Sequence, residues 1–249
     1  MSPTEQILGV RFFNGSVEEA VEALSTNGGL LVVPAAPALV KICDDEEYRR
    51  ALTSADMAIA DSGAMVLFWK IFTGRRVERI SGLKFLKRLL ARLTENPNER
   101  VLWIVPSESA RQKAIDWLQA NGLKVLADDF YVAPRYGTTV RDDALVNKID
   151  TQSPTHVVIG IGGGTQEKLG LFLKENTRAR PAIHCIGAAL GFVTGDQPPI
   201  PMWADRFYLG WLLRFLRQPH VFGPRYLGAF RLPFLIARYR ERLPALRRS

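Results

Sequence analysis

The chain has 249 residues, of which 47% are hydrophobic and 23% are charged, so it can bury a sizeable core and is not disordered, collagen-like or of low complexity. Its formal net charge of +8 is compatible with a nucleic-acid partner, an anionic membrane surface or a polyanionic substrate. All of that excess lies in residues 205–249, which contain ten arginines and two acidic residues, whereas residues 1–204 are neutral overall.

Short apolar runs with β-strand composition alternate along the chain with longer segments in which apolar residues recur at helical spacing. That alternation is typical of an α/β fold with a mostly parallel sheet and crossover helices. We expect an α/β domain over residues 1–196, followed by a different kind of segment, a basic and aromatic-rich helical appendage, over residues 197–249. The predicted strands cover residues 29–33, 57–60, 100–105, 123–127, 155–161 and 181–187. The predicted helices cover residues 16–27, 45–55, 81–93, 109–122, 140–152 and 165–176.

The cysteines and histidines exclude two kinds of site. Cys43 and Cys185 are too few for a disulfide framework, which favours a reducing, cytoplasmic compartment. The three histidines, His156, His184 and His220, are scattered without the spacing of metal ligands, so no metal site is predicted.

The N-terminus has no basic region followed by an apolar stretch, and no apolar run reaches the ~18 residues that a membrane span needs. Any contact with a membrane is therefore expected from one side.

Three loops that follow predicted strands are the first candidates for a ligand site, because open α/β sheets bind ligands beyond the carboxyl ends of their strands. One of them, residues 160–169 with the sequence GIGGGTQEKL, is called the glycine loop below. Gly162 and Gly164 would let the backbone approach a ligand, and the helix start behind them suits a nucleotide diphosphate. Thr165 breaks a dinucleotide fingerprint. A tight turn, with Gln166 and Glu167 as a helix-capping pair, is the alternative.

The other two loops cover residues 60–64 and 187–192. In the first, Asp61 follows a predicted strand, where its carboxylate could take a proton from a sugar hydroxyl or could cap a helix. Arg79 stands before another predicted helix, where a guanidinium could grip a phosphate or a carboxylate. Gly63 and Gly187 belong to these loops and are candidate substrate-binding residues.

The tail mixes arginines with aromatic residues and leucines. On a helical projection of residues 203–217, Arg206, Arg214 and Arg217 fall within an arc of roughly 80°, and apolar residues cover most of the remainder. This composition is typical of a segment at an anionic membrane surface, with a solvated basic face as the alternative. The apolar arc must be covered by something, which makes a homo-oligomer one candidate arrangement.

In the sequence and order of these loops and of the tail, the chain resembles the WecG/TagA/CpsF glycosyltransferase family over about residues 7–226. The matching stretches are ILGVRFF, DDEEYRRALTSADMAIADSGAMV, VERISGLKFL, THVVIGIGGGTQEKL, IGAALGFVTG and IPMWADRFYLGWLLRFLRQPHVFGPRYL. The resemblance implies a Rossmann-like α/β domain with a C-terminal appendage that helps to complete the site at the bilayer.

The same resemblance implies an activity. It is the metal-independent, inverting transfer of a sugar from a UDP-sugar, without a cofactor, to a polyprenyl-diphosphate-linked sugar. The product would be an exopolysaccharide, a teichoic-acid-like polymer or a capsule, and the enzyme would be peripheral on the inner face of the cell membrane. Two features of the chain agree: it contains no Asp-x-Asp metal motif, and its excess arginines are confined to the tail.

Roles follow from the resemblance by motif position. Asp61 is similar to the proposed general base, and Arg79 is similar to the arginine that stabilises the diphosphate leaving group. The glycine loop matches the GLGxPxQE motif, in which Gln166 is a substrate contact. Arg214 and Arg225 match tail arginines expected near the phosphates of the donor or of the lipid acceptor.

The chain departs from the family pattern at several positions. The Thr-x-Asn after the first core strand reads Pro34, Ala35 and Ala36, so two polar contacts near the catalytic carboxylate are missing. This departure motivates a second hypothesis, a catalytically weakened member that binds a nucleotide or a lipid-linked glycan as an assembly factor. A nucleic-acid binder is disfavoured because the tail arginines interleave with leucine and phenylalanine, and a nicotinamide dehydrogenase is disfavoured by the glycine spacing.

Overall fold

A computed structural model of the chain describes residues 3–195 and 228–247, and it confirms an α/β fold with a mostly parallel sheet. The strands are Thr4–Ile7 (β1), Val10–Phe13 (β2), Gly29–Val32 (β3), Met57–Ala58 (β4), Val101–Val105 (β5), Phe130–Val132 (β6), His156–Ile159 (β7) and Ala182–Cys185 (β8). They form one sheet in the order β1-β2-β4-β3-β8-β7-β5-β6. The pair of β1 and β2 is antiparallel, and all the other neighbouring pairs in this sheet are parallel. Because β4, β3, β8 and β7 are parallel neighbours, their carboxyl ends meet at one edge.

Helices cover both faces of the sheet. Those with both ends in the described ranges are Val17–Asn27 (α1), Ala36–Leu39 (α2), Glu46–Thr53 (α3), Gly63–Thr73 (α4), Gly82–Glu95 (α5), Glu108–Ala120 (α6), Asp143–Gln152 (α7), Thr165–Asn176 (α8), Ala189–Val193 (α9) and Leu232–Tyr239 (α10). Successive strand residues point to opposite faces. Leu30 of β3 accordingly belongs to the core that includes α3, α4, α7, α8 and α10, and Leu31 to the core that includes α1, α5, α6 and α9. The result is a three-layer sandwich.

Serine and aspartate side chains fix where six of these helices begin. In each case the side-chain oxygen accepts a hydrogen bond from a backbone N–H three residues further along, which satisfies a group that the helix itself leaves unpaired. The capping residues are Ser16 (α1), Asp45 (α3), Ser62 (α4), Ser81 (α5), Ser107 (α6) and Asp142 (α7). These caps set the geometry of the loops between strand and helix, where the candidate site lies.

The sequence prediction missed the N-terminal hairpin of β1 and β2. Its two-residue turn consists of Leu8 and Gly9, both with positive φ, of 51° and 81°. Positive φ at both positions is what a tight hairpin requires, but leucine gives no such signal in the sequence. The backbone N–H groups of Leu8 and Gly9 donate to the carbonyls of Arg240 and Glu241, each at 2.8 Å. The hairpin turn is therefore held by the C-terminal segment.

One predicted strand, residues 123–127, is wrong, since the strand in this region is β6, at Phe130–Val132. The backbone of residues 123–126 forms hydrogen bonds other than those of a sheet. Leu123 N donates to Leu118 O at the end of α6, Gln119 Nε2 donates to Val125 O, and Leu126 N donates to Asp129 Oδ2. The alternation of apolar residues therefore reflects packing at the end of a helix.

The described part of the appendage, residues 228–247, packs on the α/β body. Leu232, Leu235 and Ile236 are buried in the same core as Trp69 of α4. Further along, Arg247 N donates to Cys43 O at 2.8 Å. The predicted domain boundary at residues 196–197 adjoins the range outside the described residues and stays a prediction.

Three polar side chains, the buried His184 and His156 and the half-buried Glu99, form a row of hydrogen bonds in the core on the side of α5. His184 Nε2 lies 3.1 Å from His156 Nδ1, and His156 Nε2 lies 3.1 Å from Glu99 Oε2. With both histidines neutral, His184 donates to His156 and His156 donates to Glu99. Burial lowers the pKa of both histidines, although the Glu99 carboxylate partly opposes this shift at His156. The folded protein therefore takes up protons on this pair less readily than the unfolded chain does.

We expect the free energy of unfolding to decrease as the pH falls below about 6.5, where histidines of the unfolded chain become protonated. The contribution of a neutral, buried histidine is present above that pH and is lost as the pH falls towards the lowered pKa of the folded state. Urea unfolding between pH 7.5 and 5.5 measures it. The variant His184→Leu should show a shallower pH dependence, and an unchanged dependence would contradict the assignment.

Candidate active site

Three loops lie side by side at the carboxyl edge of the sheet. They are the loop after β4 with Asp61, the glycine loop after β7 and the loop after β8 with Gly187. Strands in a sheet are about 4.8 Å apart, so Asp61 and the glycine loop, on the first and fourth of four neighbouring strands, are separated by roughly 14 Å. The edge between them is long enough for an extended ligand with a sugar and a diphosphate.

Asp61 is not the N-cap of α4. Ser62 has that position, because its hydroxyl accepts a hydrogen bond from Met65 N at 3.2 Å. The half-buried Asp61 carboxylate instead accepts one from Gly82 N, at the start of α5, at 3.2 Å. Asp61 therefore does not cap α4, and its carboxylate lies between the first turns of α4 and α5, where its role as a base stays a prediction.

Arg79 lies directly beside Asp61. The chain before α5 forms a parallel bridge between Ala60 and Arg79, and Arg79 Nε donates to the carbonyl of Asp61 at 2.9 Å. A half-buried guanidinium and a half-buried carboxylate thus share one corner of the edge. The structure brings together the two residues that were predicted to be catalytic.

Gly82 is a residue at this edge that the sequence reasoning missed. A Cβ atom added at Gly82 would lie 3.1 Å from Ile186 O, after β8, and 3.5 Å from Val33 Cγ1, after β3. A side chain here would therefore push α5 away from the loops after both strands. The signal in the sequence was a glycine directly after a capping serine, which is common at helix starts.

The glycine loop makes the predicted turn from strand to helix. Gly162 and Gly164 have φ values of 107° and 98°, which L side chains rarely adopt. A Cβ at Gly162 would meet no atom of the described residues within 4 Å, so those residues leave the loop open at that point. The Gly164 N–H donates to the carboxylate of Glu167 at 2.6 Å, which is the capping interaction considered from the sequence.

Gln166 and Glu167 are buried, with 1% and 0% of their surface exposed. Gln166 Oε1 accepts from Gly187 N at 2.9 Å, and Gln166 Nε2 donates to Cys185 O at 3.2 Å and to Glu167 Oε1 at 3.0 Å. Burial raises the pKa of the Glu167 carboxyl, and the hydrogen bonds from Gln166 and Gly164 oppose that shift. The pair connects the glycine loop to the loop after β8. Its role as a substrate contact stays a prediction.

The remaining predicted residues are placed only in part. Gly63 is the first residue of α4, and Gly187, with φ of 64°, lies directly after β8, so both are at the same edge as Asp61. Arg214 and Arg225, like the helix predicted over residues 203–217, lie outside the described residues and stay predictions. No group of three or more His, Cys, Asp or Glu side chains in the described ranges is arranged to hold a metal ion.

The loop after β3 is apolar where it faces this edge. Pro34 is buried, and Ala35 precedes α2 without a side-chain hydrogen bond to the helix. Backbone and methyl groups therefore line the middle of the edge. Asp61 and Arg79 lie at one end, and the glycine loop lies at the other.

The chain is similar to known proteins over most of its length. The pattern of the Glycosyl transferase WecG/TagA/CpsF family matches residues 5–247. An N-acetylglucosaminyldiphosphoundecaprenol N-acetyl-beta-D-mannosaminyltransferase of Bacillus spizizenii is 23% identical over 202 residues, which cover 79% of this chain and 74% of that protein.

The variant Gln166→Met tests whether the Gln166 side chain holds the edge together. Methionine keeps the length of the side chain but leaves the Gly187 N–H and the Cys185 carbonyl without a partner, which should lower the free energy of unfolding by about 2 kcal/mol. Urea denaturation measures the change. In the exposed control Gln112→Met on α6, the change should stay within about 0.5 kcal/mol. Equal stability of the two variants would contradict the structural role of Gln166.

Proposed function

Because the chain belongs to the WecG/TagA/CpsF family of glycosyltransferases, we propose that it transfers a sugar from a UDP-sugar to a polyprenyl-diphosphate-linked sugar. The observation that carries this proposal is the pairing of Asp61 with Arg79 at one end of a sheet edge whose other end is the glycine loop. The Bacillus spizizenii relative is named for an acceptor sugar on a diphosphoundecaprenol lipid, and this supports a lipid-linked acceptor. The product would be a cell-surface polysaccharide.

The proposed reaction is one inverting displacement. Asp61 takes the proton from the acceptor hydroxyl as its oxygen forms a bond to the anomeric carbon of the donor sugar. The bond from that carbon to the diphosphate oxygen breaks, and UDP leaves from the opposite face. Arg79, which the Asp61 carbonyl holds beside the carboxylate, stabilises the charge that develops on the diphosphate. Arg214 and Arg225 of the appendage are proposed to contact phosphates of the donor or of the lipid acceptor.

We propose that this transfer needs no metal ion and no cofactor. The support is in the sequence, which has no Asp-x-Asp motif of the kind that binds a divalent cation beside a nucleotide sugar. Cationic side chains and backbone N–H groups then neutralise the departing diphosphate. The glycine loop and Arg79, at the two ends of the edge, supply both kinds of group.

A second function, binding of a nucleotide or a lipid-linked glycan without turnover, is favoured by one observation. The loop of Pro34, Ala35 and Ala36 places no polar side chain beside Asp61, so this loop gives the acceptor hydroxyl no contact that would orient it. Nucleotide binding without UDP release across a panel of UDP-sugars would support this function over transfer.

The location we propose is the cytoplasmic face of the cell membrane, to which the chain attaches from one side. None of the helices in the described ranges is long and apolar enough to cross a bilayer. The packed helices α4 and α10, together with the turn directly before α10, expose large apolar side chains, which we call the α4/α10 ridge. Its members are Leu67 (54% exposed), Ile71 (62%), Phe230 (67%) and Phe234 (77%). Exposed Lys70 and Arg238 lie on the same helices and complement anionic headgroups.

Replacing the proposed base should separate chemistry from binding. Asp61→Asn keeps the shape of the side chain but cannot accept a proton from the acceptor, so we expect the rate of UDP release to fall by about 10²–10⁴-fold. UDP affinity should change little. The assay uses UDP-sugars, including UDP-N-acetylmannosamine, with a polyprenyl-diphosphate-linked N-acetylglucosamine. The matched control is Asp143→Asn, at an exposed position of α7. Unchanged turnover in Asp61→Asn would rule out the base assignment.

Membrane attachment can be tested on the ridge itself. The double variant Phe230→Ser with Phe234→Ser should lower binding to vesicles of phosphatidylglycerol and phosphatidylethanolamine at least about tenfold, because each aromatic ring loses more than about 1 kcal/mol of burial. Sedimentation with vesicles gives the bound fraction. Leu126→Ser is the control. Leu126 is 72% exposed and lies beside β6, which is the outermost strand on the side of the sheet away from β1. Equal binding by both variants and the parent protein would contradict the role of the ridge.

A further inference from the structure

Lys41 is held next to the glycine loop by a segment that the proposed mechanism does not use. It lies on the 3-10 turn Val40–Cys43, which follows β3 and α2, and its side chain is exposed. Its Nζ is 3.9 Å from the position that a Cβ of Gly164 would occupy. The loop after β3 also touches the glycine loop at Ala38, whose Cβ is 3.8 Å from the corresponding position of Gly163. Two chain segments thus place an ammonium group at the open glycine loop.

A second lysine near the end of the glycine loop, in contrast to Lys41, is held by ion pairs within the fold. Lys168, in the first turn of α8, lies 2.7 Å from Asp45 Oδ2 and 3.6 Å from Glu47 Oε2, and is largely buried. The Lys41 ammonium group takes part in none of the ion pairs or hydrogen bonds formed between described residues, whereas the Lys41 carbonyl accepts from Asp44 N and Asp45 N. Its charge acts on the buried Glu167 carboxylate only at longer range, where it lowers the Glu167 pKa. One lysine is therefore used by the fold, and the other remains available to a ligand.

We propose that Lys41 binds the diphosphate of the nucleotide donor at the glycine loop. This inference rests on the proposed function, because it assigns a residue to the donor of that reaction. Arg79 is bound to the Asp61 carbonyl, and the backbone there is roughly 14 Å from the glycine loop, so phosphate oxygens beside that loop call for a second cation. An ammonium group on a flexible stem can follow the phosphates as the bond to the sugar breaks. Lys41 is thus a binding and positioning residue, and Asp61 remains the base.

Calorimetric titration of the full chain tests this proposal without requiring turnover. The probes are UDP, uridine and farnesyl diphosphate, and the variants are Lys41→Ala, Lys41→Arg and, as an exposed control on the loop after α6, Lys124→Ala. Lys41→Ala should weaken UDP binding about tenfold or more, as expected for the loss of one charge-assisted hydrogen bond. Uridine binding should not change. Lys41→Arg should retain most of the affinity, and Lys124→Ala should match the parent protein.

The possible outcomes separate this inference from the function on which it rests. If the parent protein binds no UDP, the proposed donor is wrong, and the assignment of Lys41 is overturned with it. If the parent protein binds UDP and Lys41→Ala binds it equally well, only the assignment of Lys41 is overturned. An equal loss for uridine and UDP, together with a lower melting temperature, would show a structural role through Glu167. A loss confined to farnesyl diphosphate would move Lys41 to the acceptor and overturn its assignment to the donor.

Discussion

The candidate site depends on a continuous set of contacts between loops that are far apart in the sequence. The Asp61 carboxylate accepts from the N–H of Gly82, and Gly82 packs against the carbonyl of Ile186 because it has no side chain. One residue later, the N–H of Gly187 donates to the buried side chain of Gln166, which holds the glycine loop. A backbone contact without room for a Cβ and a buried amide side chain therefore connect the two ends of the edge. The arrangement of the proposed catalytic groups depends on both.

These contacts between loops explain the structural role of the buried Gln166 and Glu167 at the site. Buried polar groups are costly unless every partner is present, so a satisfied network fixes one geometry of the loops. The interior of the edge is thereby rigid, and the groups left at its surface are Asp61 with Arg79 at one end and Lys41 with the glycine loop at the other. That division suits a reaction in which an acceptor is deprotonated at one point while a diphosphate departs towards another.

Much of this architecture could be predicted from the sequence. The strands β3, β5, β7 and β8 are short apolar runs, and the helices between them carry clear periodicity. The rule that ligands bind beyond strand ends selected Asp61 and the glycine loop, and the position before a predicted helix selected Arg79. The hairpin of β1 and β2 could not be predicted, because its turn places Leu8 at a positive φ. Residues 123–127 alternate like a strand but pack at a helix end. The close approach at Gly82 and the proximity of Lys41 to the glycine loop are tertiary contacts, and local patterns do not contain them.

The most direct test of the account is a crystal structure of the protein with UDP. We expect the diphosphate to lie along the carboxyl edge of β4, β3, β8 and β7, between Arg79 and the glycine loop, with phosphate oxygens within hydrogen-bonding distance of backbone N–H groups of residues 162–165. The acceptor side of the nucleotide site should then open towards Asp61. UDP bound elsewhere on the molecule, or bound with its phosphates away from both Arg79 and the glycine loop, would contradict the assignment of this edge as the active site.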